Sequence, residues 1–216
     1  MNILLTGGAG YIGSHTAVEL LNCGYSIVIA DNYTNSSPEV IKHIEKIVRR
    51  PVLAYEIDVA NSNSLDELFS HNRIDAVIHF AGLKAISESA IMPLRYYRNN
   101  IVSTLSILEV MKRYYVRNLI FSSSAAVYGV PERLPVKEDM KVGPCTNPYG
   151  WTKLMIEQII QDYAAADPDF SAVLLRYFNP CGAHSSGYIG DNARGMPSNL
   201  MSCIAQVASG KLTELH

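Results

Sequence analysis

Cysteine is scarce in this chain and badly placed for a covalent or metal framework. Its four residues, Cys23, Cys145, Cys181 and Cys203, form no C-x-x-C pair. They are spread too widely to read as a metal site or a disulfide frame, which suits a reducing compartment. No two histidines stand at H-x-x-x-H spacing, so no metal is expected. Charge is also scarce: a formal −2 over 216 residues offers no basic footprint, so no nucleic acid is expected as a partner. No apolar run reaches the ~20 residues of a membrane helix, and no membrane partner is expected. Met1 opens straight into an apolar strand, with no leader expected before it. Repeats and low-complexity segments are absent too. What is left is 48% apolar, enough core for one α/β domain and part of a second. The expectation is a soluble, cytoplasmic protein.

The chain's first thirty residues carry its strongest pattern. Asn2-Ile3-Leu4-Leu5-Thr6 is a short apolar strand, followed by the turn Gly7-Gly8-Ala9-Gly10-Tyr11-Ile12-Gly13. A helix-like segment runs from Ser14 to Asn22, and a second apolar run from Tyr25 to Ala30 ends at Asp31. Gly7, Gly10 and Gly13 are spaced by three, and Gly8, Gly10 and Gly13 also fit G-x-G-x-x-G. Glycine is required where the backbone turns tightly, where it approaches a pyrophosphate, and where helix meets strand. The helix N-terminus then directs unpaired N–H groups at the phosphates. Strand, glycine loop, helix, strand and acid, in that order, mark a dinucleotide site. Asp31 can accept hydrogen bonds from both adenosine ribose hydroxyls and would repel a 2′-phosphate. No arginine stands beside it in Asn32-Tyr33-Thr34-Asn35, so NAD is expected rather than NADP.

Farther on, strands and helices alternate. A helix is expected from Pro38 to Arg49, with Val40, Ile44 and Ile47 on one face, then a strand from Pro51 to Ile57 ending at Asp58-Val59. A short helix around Leu65 to Phe69 precedes a fourth strand, Ala76 to Phe80, ending at Ala81-Gly82. A long helical pattern spans Leu94 to Tyr114, and a fifth strand Asn118 to Ser122. This alternation predicts an α/β fold with a doubly wound parallel sheet, whose ligand lies beyond the carboxyl ends of the strands. Asp31, Asp58, Phe80-Ala81-Gly82 and Ser122-Ser123-Ser124 are then expected at one crevice. Gly129 to Pro148 carries four prolines and is expected to loop over its mouth. His15 and His79 are expected in structural roles.

Candidate chemistry follows the fifth strand. Tyr149-Gly150-Trp151-Thr152-Lys153 opens a helix running to Ala166. Four residues are about one turn, ~6 Å of rise, so Tyr149 and Lys153 share a face. A phenol, with a pKa of ~10, is a poor base at neutral pH. A neighbouring ammonium and a cationic nicotinamide favour its phenolate. Ser124 can add a hydroxyl to the same group. A Tyr-x-x-x-Lys alone says little; placed one crossover after a serine-ended strand and behind a nucleotide loop, it is specific.

At this point the sequence resembles the extended short-chain dehydrogenase/reductase family, in particular its members that act on nucleotide sugars. The carrying segments are Thr6 to His15, His79 to Lys84, Phe121 to Ser124, Val127-Tyr128-Gly129, Tyr149-Gly150 with Lys153, Leu175 to Pro180, Gly182-Ala183-His184 and Asn199-Leu200. The resemblance implies a Rossmann-type domain over 1–178 and the start of a smaller C-terminal substrate-binding domain over 179–216. It implies NAD contacts from Tyr11, Ile12, Asp31, Asn32, Asn35, Ser36, Asp58, Val59, Phe80, Ala81, Gly82, Lys84, Asn99 and Phe178, besides Ser124, Tyr149 and Lys153. Lys84, Ser124, Tyr149, Asn179, Asn199 and Leu200 would meet the substrate. The implied reaction interconverts UDP-galactose and UDP-glucose through a transient 4-keto sugar on bound NAD. Tyr149 would take the 4-hydroxyl proton, Ser124 would hydrogen-bond the reacting oxygen, and Lys153 would anchor the nicotinamide ribose. The Leu94–Tyr114 and Tyr149–Ala166 helices resemble those that pair in the family's homodimer.

The family pattern continues well past the position of His216, with further uridine and pyrophosphate contacts, so reduced activity is expected of this chain. Two rival readings remain. A nucleotide-sugar 4,6-dehydratase needs an acid pair after the strand-five hydroxyl, where this chain has Ala125 and Ala126. An NAD-binding fragment or sensor without turnover would need no more than the cradle.

Overall fold

The near-continuous apolar runs become the middle of a sheet. The computed structural model describes residues 1–191 and 200–214. Strands β1 (Asn2–Thr6), β2 (Ser26–Asp31) and β4 (Ala76–His79) are buried almost throughout, as parallel strands covered on both faces must be. With β3 (Leu53–Glu56), β5 (Asn118–Ser124) and β6 (Ser171–Tyr177) they form six parallel strands in the order β3-β2-β1-β4-β5-β6. Successive side chains alternate sides. Leu4, Val28 and Val77 pack on one face against α3 (Ser62–His71), α5 (Pro93–Arg113) and α6 (Pro148–Ala166). Ile3, Leu5, Ile27 and Ile29 pack on the other against α1 (Tyr11–Asn22) and α2 (Glu39–Val48). Burial of these residues, at ~25 cal/mol per Å² of apolar surface, is the main stabilising term.

The order in which successive strands are added reverses between β1 and β4, which opens a crevice at their carboxyl ends. This is the Rossmann arrangement. Local signals set where its helices begin. Asn147 accepts the Gly150 N–H (2.8 Å) with Pro148 in the first turn of α6, and Asn61 caps α3 through Asn63 and Ser64. Among the described residues no helix is long and apolar enough to cross a membrane.

Several elements differ from the sequence reading. The fifth strand runs to Ser124 rather than stopping at Ser122, because β6 pairs with it as far as Ser124–Tyr177. A short helix, α4 (Ile86–Ile91), a 3-10 turn at Ala125–Tyr128, β6 itself and α7 (Leu200–Ala208) were not foreseen. His79 is structural: Thr6 Oγ1 lies 2.7 Å from Nδ1 and Thr104 Oγ1 3.1 Å from Nε2. Burial holds its pKa at about 3, with Lys153 adding to the effect.

Candidate active site

The glycine loop makes space in two ways. At Gly7, φ is +68° and an added Cβ would lie 2.7 Å from Ala81 N, so glycine is needed for both the turn and the approach to β4. At Gly13 a Cβ would meet Gly7 O at 2.5 Å, which fits close contact of helix and loop. Gly10 differs. Its φ is −71°, and a Cβ would meet only Gly7 O, at 3.2 Å. Beyond that one tight contact the protein places nothing within 4 Å of the position. No side chain caps α1 and no acid lies in its first turn, so the leading N–H groups at Tyr11, Ile12 and Gly13 stay available. An open glycine beside an uncapped helix start fits a diphosphate.

Asp31 closes β2 beside this cradle. Its Oδ2 accepts from Ala9 N (3.0 Å), and Oδ1 from Tyr33 N and Ser36 Oγ (2.9 Å each). A carboxylate has about four acceptor positions, so room for a further donor remains. Asn32 turns its own loop through Thr34 N, while Asp58 Oδ1 accepts from Ala60 N and Val59 is buried. Phe80, Ala81 and Gly82 leave β4 toward the glycine loop. Asn100, which the sequence reading passed over, fixes them: it accepts from Leu83 N (2.8 Å) and donates to Leu83 O and Thr152 Oγ1 (3.0 Å each). Its neighbour Asn99 is half-buried on α5, and Asn35 is exposed.

A second unforeseen feature is the segment after β6. Tyr11 Oη donates to Gly182 O (2.7 Å), Tyr188 packs on Lys46 with Nζ 4.1 Å from the ring, and Ile189 is buried with α2. Asp191 lies 4.0 Å from Lys84 and accepts from Ser202 on α7. This strap crosses the glycine loop. Its burial, together with Asp191 and Cys181, pushes the Tyr11 phenol up. Phe178, 62% exposed, Asn179 and Leu200 lie at the solvent side of the same region. Asn199 lies outside the described residues.

Ser124, Tyr149 and Lys153 come together across β5 and α6. Lys153 is 5% exposed and donates from Nζ to Ser122 O at 2.7 Å. Nζ sits 4.7 Å from the Phe121 ring centroid and 5.9 Å from that of Tyr149. Burial lowers its pKa to about 8, and Glu157 opposes that. The Tyr149 phenol is raised by burial, with a hydrogen bond from Ser124 pulling the other way. A depressed phenol was expected from the sequence. Burial wins here, because Lys153 lies beside the ring and gives its hydrogen bond to a carbonyl. The loop at 129–147 is tied down near them through Gly143 N to Val127 O (2.7 Å).

Fold and site together define a dinucleotide-binding α/β protein with a serine–tyrosine–lysine group at the crevice. The sequence profile of the NAD dependent epimerase/dehydratase family matches residues 3–216, and the chain belongs to that family. It is 55% identical to the UDP-glucose 4-epimerase of Bacillus subtilis over 215 residues, which is all of this chain and 63% of that protein. The crystal structure of UDP-glucose 4-epimerase from Bifidobacterium longum in complex with NAD+ and UDP superposes with a TM-score of 0.97 at 51% identity, covering 99% of this chain and 64% of that one. The Stenotrophomonas maltophila enzyme, with bound NAD and formylated UDP-arabinopyranose, gives 0.96 at 45% identity, covering 100% and 64%. This chain thus spans about 63% of the length of the curated relatives it matches.

Proposed function

We propose that this chain carries the NAD site and catalytic group of a UDP-glucose 4-epimerase, interconverting UDP-galactose and UDP-glucose. The observation that carries this reading is Ser124, Tyr149 and Lys153 assembled at the crevice beside a cradle that fits a dinucleotide. Relatives bearing that name and crystallised with NAD support it. When bound, NAD supplies a hydride acceptor and donor together with a positive charge.

The chain's own residues do the rest. Gly10 and the start of α1 receive the diphosphate, and Asp31 receives the adenosine ribose and repels a 2′-phosphate. Asp58, Val59, Phe80, Ala81, Gly82 and Asn99 shape the remaining walls. Tyr149 takes the proton from the sugar 4-hydroxyl and later returns it, while Ser124 holds the same oxygen. Lys153 faces the ring with a cation, favouring the phenolate that burial alone disfavours. The 4-keto sugar must present its other face before reduction, which needs a wide pocket on the substrate side. We read residues 1–178 as the nucleotide domain and 179–216 as the beginning of that substrate wall, with Asn179 and Leu200 facing the sugar nucleotide.

We also infer a homodimer through α5 and α6, where Val102, Leu105 and Met155 are exposed on neighbouring helices. A cytoplasmic location fits the thiols Cys23, Cys145 and Cys181. A second reading, nucleotide binding without turnover, is favoured by the short span relative to the relatives. One assay separates them. UDP-galactose is incubated with this chain, beside a version extended to the relatives' length, and the sugars are resolved by chromatography. Epimerisation by the longer form alone supports the catalytic assignment and assigns the difference to the added segment. No conversion by either would overturn it.

A further inference from the structure

Tyr149, Lys153 and Glu157 recur every turn along one face of α6. Three consecutive serines of β5 meet them. The Ser124 hydroxyl lies close enough to the Tyr149 phenol to lower its pKa, Ser122 accepts from Lys153 through its carbonyl, and the Ser123 hydroxyl donates to Glu157 Oε1. Two of these three links belong to the catalytic group; the third leads to a residue the mechanism has not used.

Glu157 is 1% exposed. Arg176, the β6 partner of Ser123 in the sheet register, grips it: Nε lies 3.0 Å from Oε1 and Nη2 2.8 Å from Oε2. The remaining nitrogen of Arg176 donates to Tyr128 Oη (2.9 Å) and to Glu138 O (3.2 Å), joining the 3-10 turn and the mouth loop to the same point. Ion pairs buried this deeply are expensive, and packed apolar residues often replace them at no cost to stability. Stability alone therefore gives little reason for a carboxylate here.

Lys153 gives a better one. It is buried, and the hydrogen bond it makes goes to a neutral carbonyl, so its charge needs support from elsewhere. The groups around it are Tyr149 and Glu157 on α6, His79 on β4, and Arg176 of β6 behind Glu157. His79 is held neutral between two threonines. Glu157 is the one anion in this set, one turn from the ammonium, and it opposes the effect of burial on Lys153.

Resting on the assignment of Tyr149 and Lys153 above, we propose that Glu157 is a positioning residue for the reaction: clamped by Ser123 and Arg176, it supplies the buried counter-charge that keeps the Lys153 ammonium charged and fixed beside Tyr149. The test reads Lys153 directly. Lysines labelled with ¹³C at Cε are followed by NMR against pH, and the Lys153 signal is identified by its loss in Lys153→Met. Glu157→Gln is expected to move the Lys153 midpoint down by at least about one unit. Glu157→Asp, which keeps the charge, is expected to recover part of that shift. The double variant Glu157→Gln with Arg176→Gln has no stranded cation, so its thermal stability should return toward the parent's while the Lys153 midpoint stays low. A midpoint unchanged in Glu157→Gln, or restored in the double variant together with stability, would overturn the proposal. Should the single variant fail to fold, the double variant decides alone. The readout needs neither sugar nor nucleotide, so failure of both this chain and its extended form to convert UDP-galactose would count against the functional reading and leave the Lys153 result standing by itself.

Discussion

On the β1–β2–β3 side of the sheet the crevice is made largely of backbone, whereas on the β4–β5–β6 side it is made of ionisable side chains. Gly7, Gly10 and Gly13 act by lacking a Cβ, and the start of α1 offers peptide N–H groups. Asp31 and Asp58 stand at the strand ends there, each accepting backbone N–H groups. Across the crevice, Lys153, Glu157, Arg176 and His79 are charged or ionisable groups placed at or near the core. The difference follows from the tasks. A diphosphate keeps the same charge throughout and needs only a fixed shape, which backbone provides without reorganisation. Moving a proton needs groups whose acidity the surroundings can adjust, and burial is the strongest such influence.

The comparison breaks most sharply within the glycine loop. Gly7→Ala is expected to lose native structure, since its Cβ would press on Ala81 backbone at a φ of +68°; strain and overpacking each cost ~1–3 kcal/mol. Gly10→Ala, by contrast, should unfold within about 1 kcal/mol of the parent yet bind NAD poorly, because its methyl enters space left for the ligand. Thermal melts and nucleotide titrations on the pair test this. Similar behaviour in both assays would show that the loop does not divide packing from binding.

On the other side, Tyr149→Phe in the extended chain should cut UDP-galactose turnover by ~10²–10⁴-fold while retaining NAD, since only the proton carrier is lost. Turnover within a few-fold of the parent would point to another base. A smaller effect is expected from Asp31→Ala, which removes the anion facing the ribose: NADP should gain on NAD by roughly tenfold, ~1.4 kcal/mol, in competition titrations. An unchanged preference would mean that Asp31 serves only its loop.

The last effect concerns His79 and appears only in acid. Its folded pKa, at about 3, lies below the 6.5 of an unperturbed histidine, so the unfolded chain binds the extra proton between those values. Stability from this group is complete above about 6.5 and falls as pH drops toward 3, by at most ~1.4 kcal/mol per pH unit. His79→Gln should flatten that acid slope in urea unfolding measured from pH 7 to 4. An equal slope would place the acid sensitivity elsewhere.

Much of this division was legible in the sequence, because its signals are local. Glycine spacing, the apolar runs of β1, β2 and β4, and Tyr149 with Lys153 one turn apart can all be read without knowing a neighbour. β6 was missed because an edge strand with alternating burial resembles loop, and its residues stood out only as a motif. Glu157 was missed for a different reason. On α6 it looks like one more polar helix position, and nothing before the fold is known sets it against Arg176, nineteen residues away in sequence. The Tyr149 phenol shows the same limit: the ammonium's position one turn away was legible, but the depth of burial was not.

Consider finally what the run Ser122-Ser123-Ser124 means for insertions and deletions. Replacing any one of these serines removes at most one tie to α6, since each meets a different helix residue. Deleting one is another matter. Side chains along a strand alternate faces, so a loss of one residue turns those beyond it to the opposite face. Although the remaining pair would still read as serine-serine, Tyr149, Lys153 and Glu157 could not all find their partners, and the β5–β6 pairing would slip as well. A gene library sampling every single-residue deletion should therefore tolerate gaps in the 129–147 loop far better than here, although both segments border the same crevice.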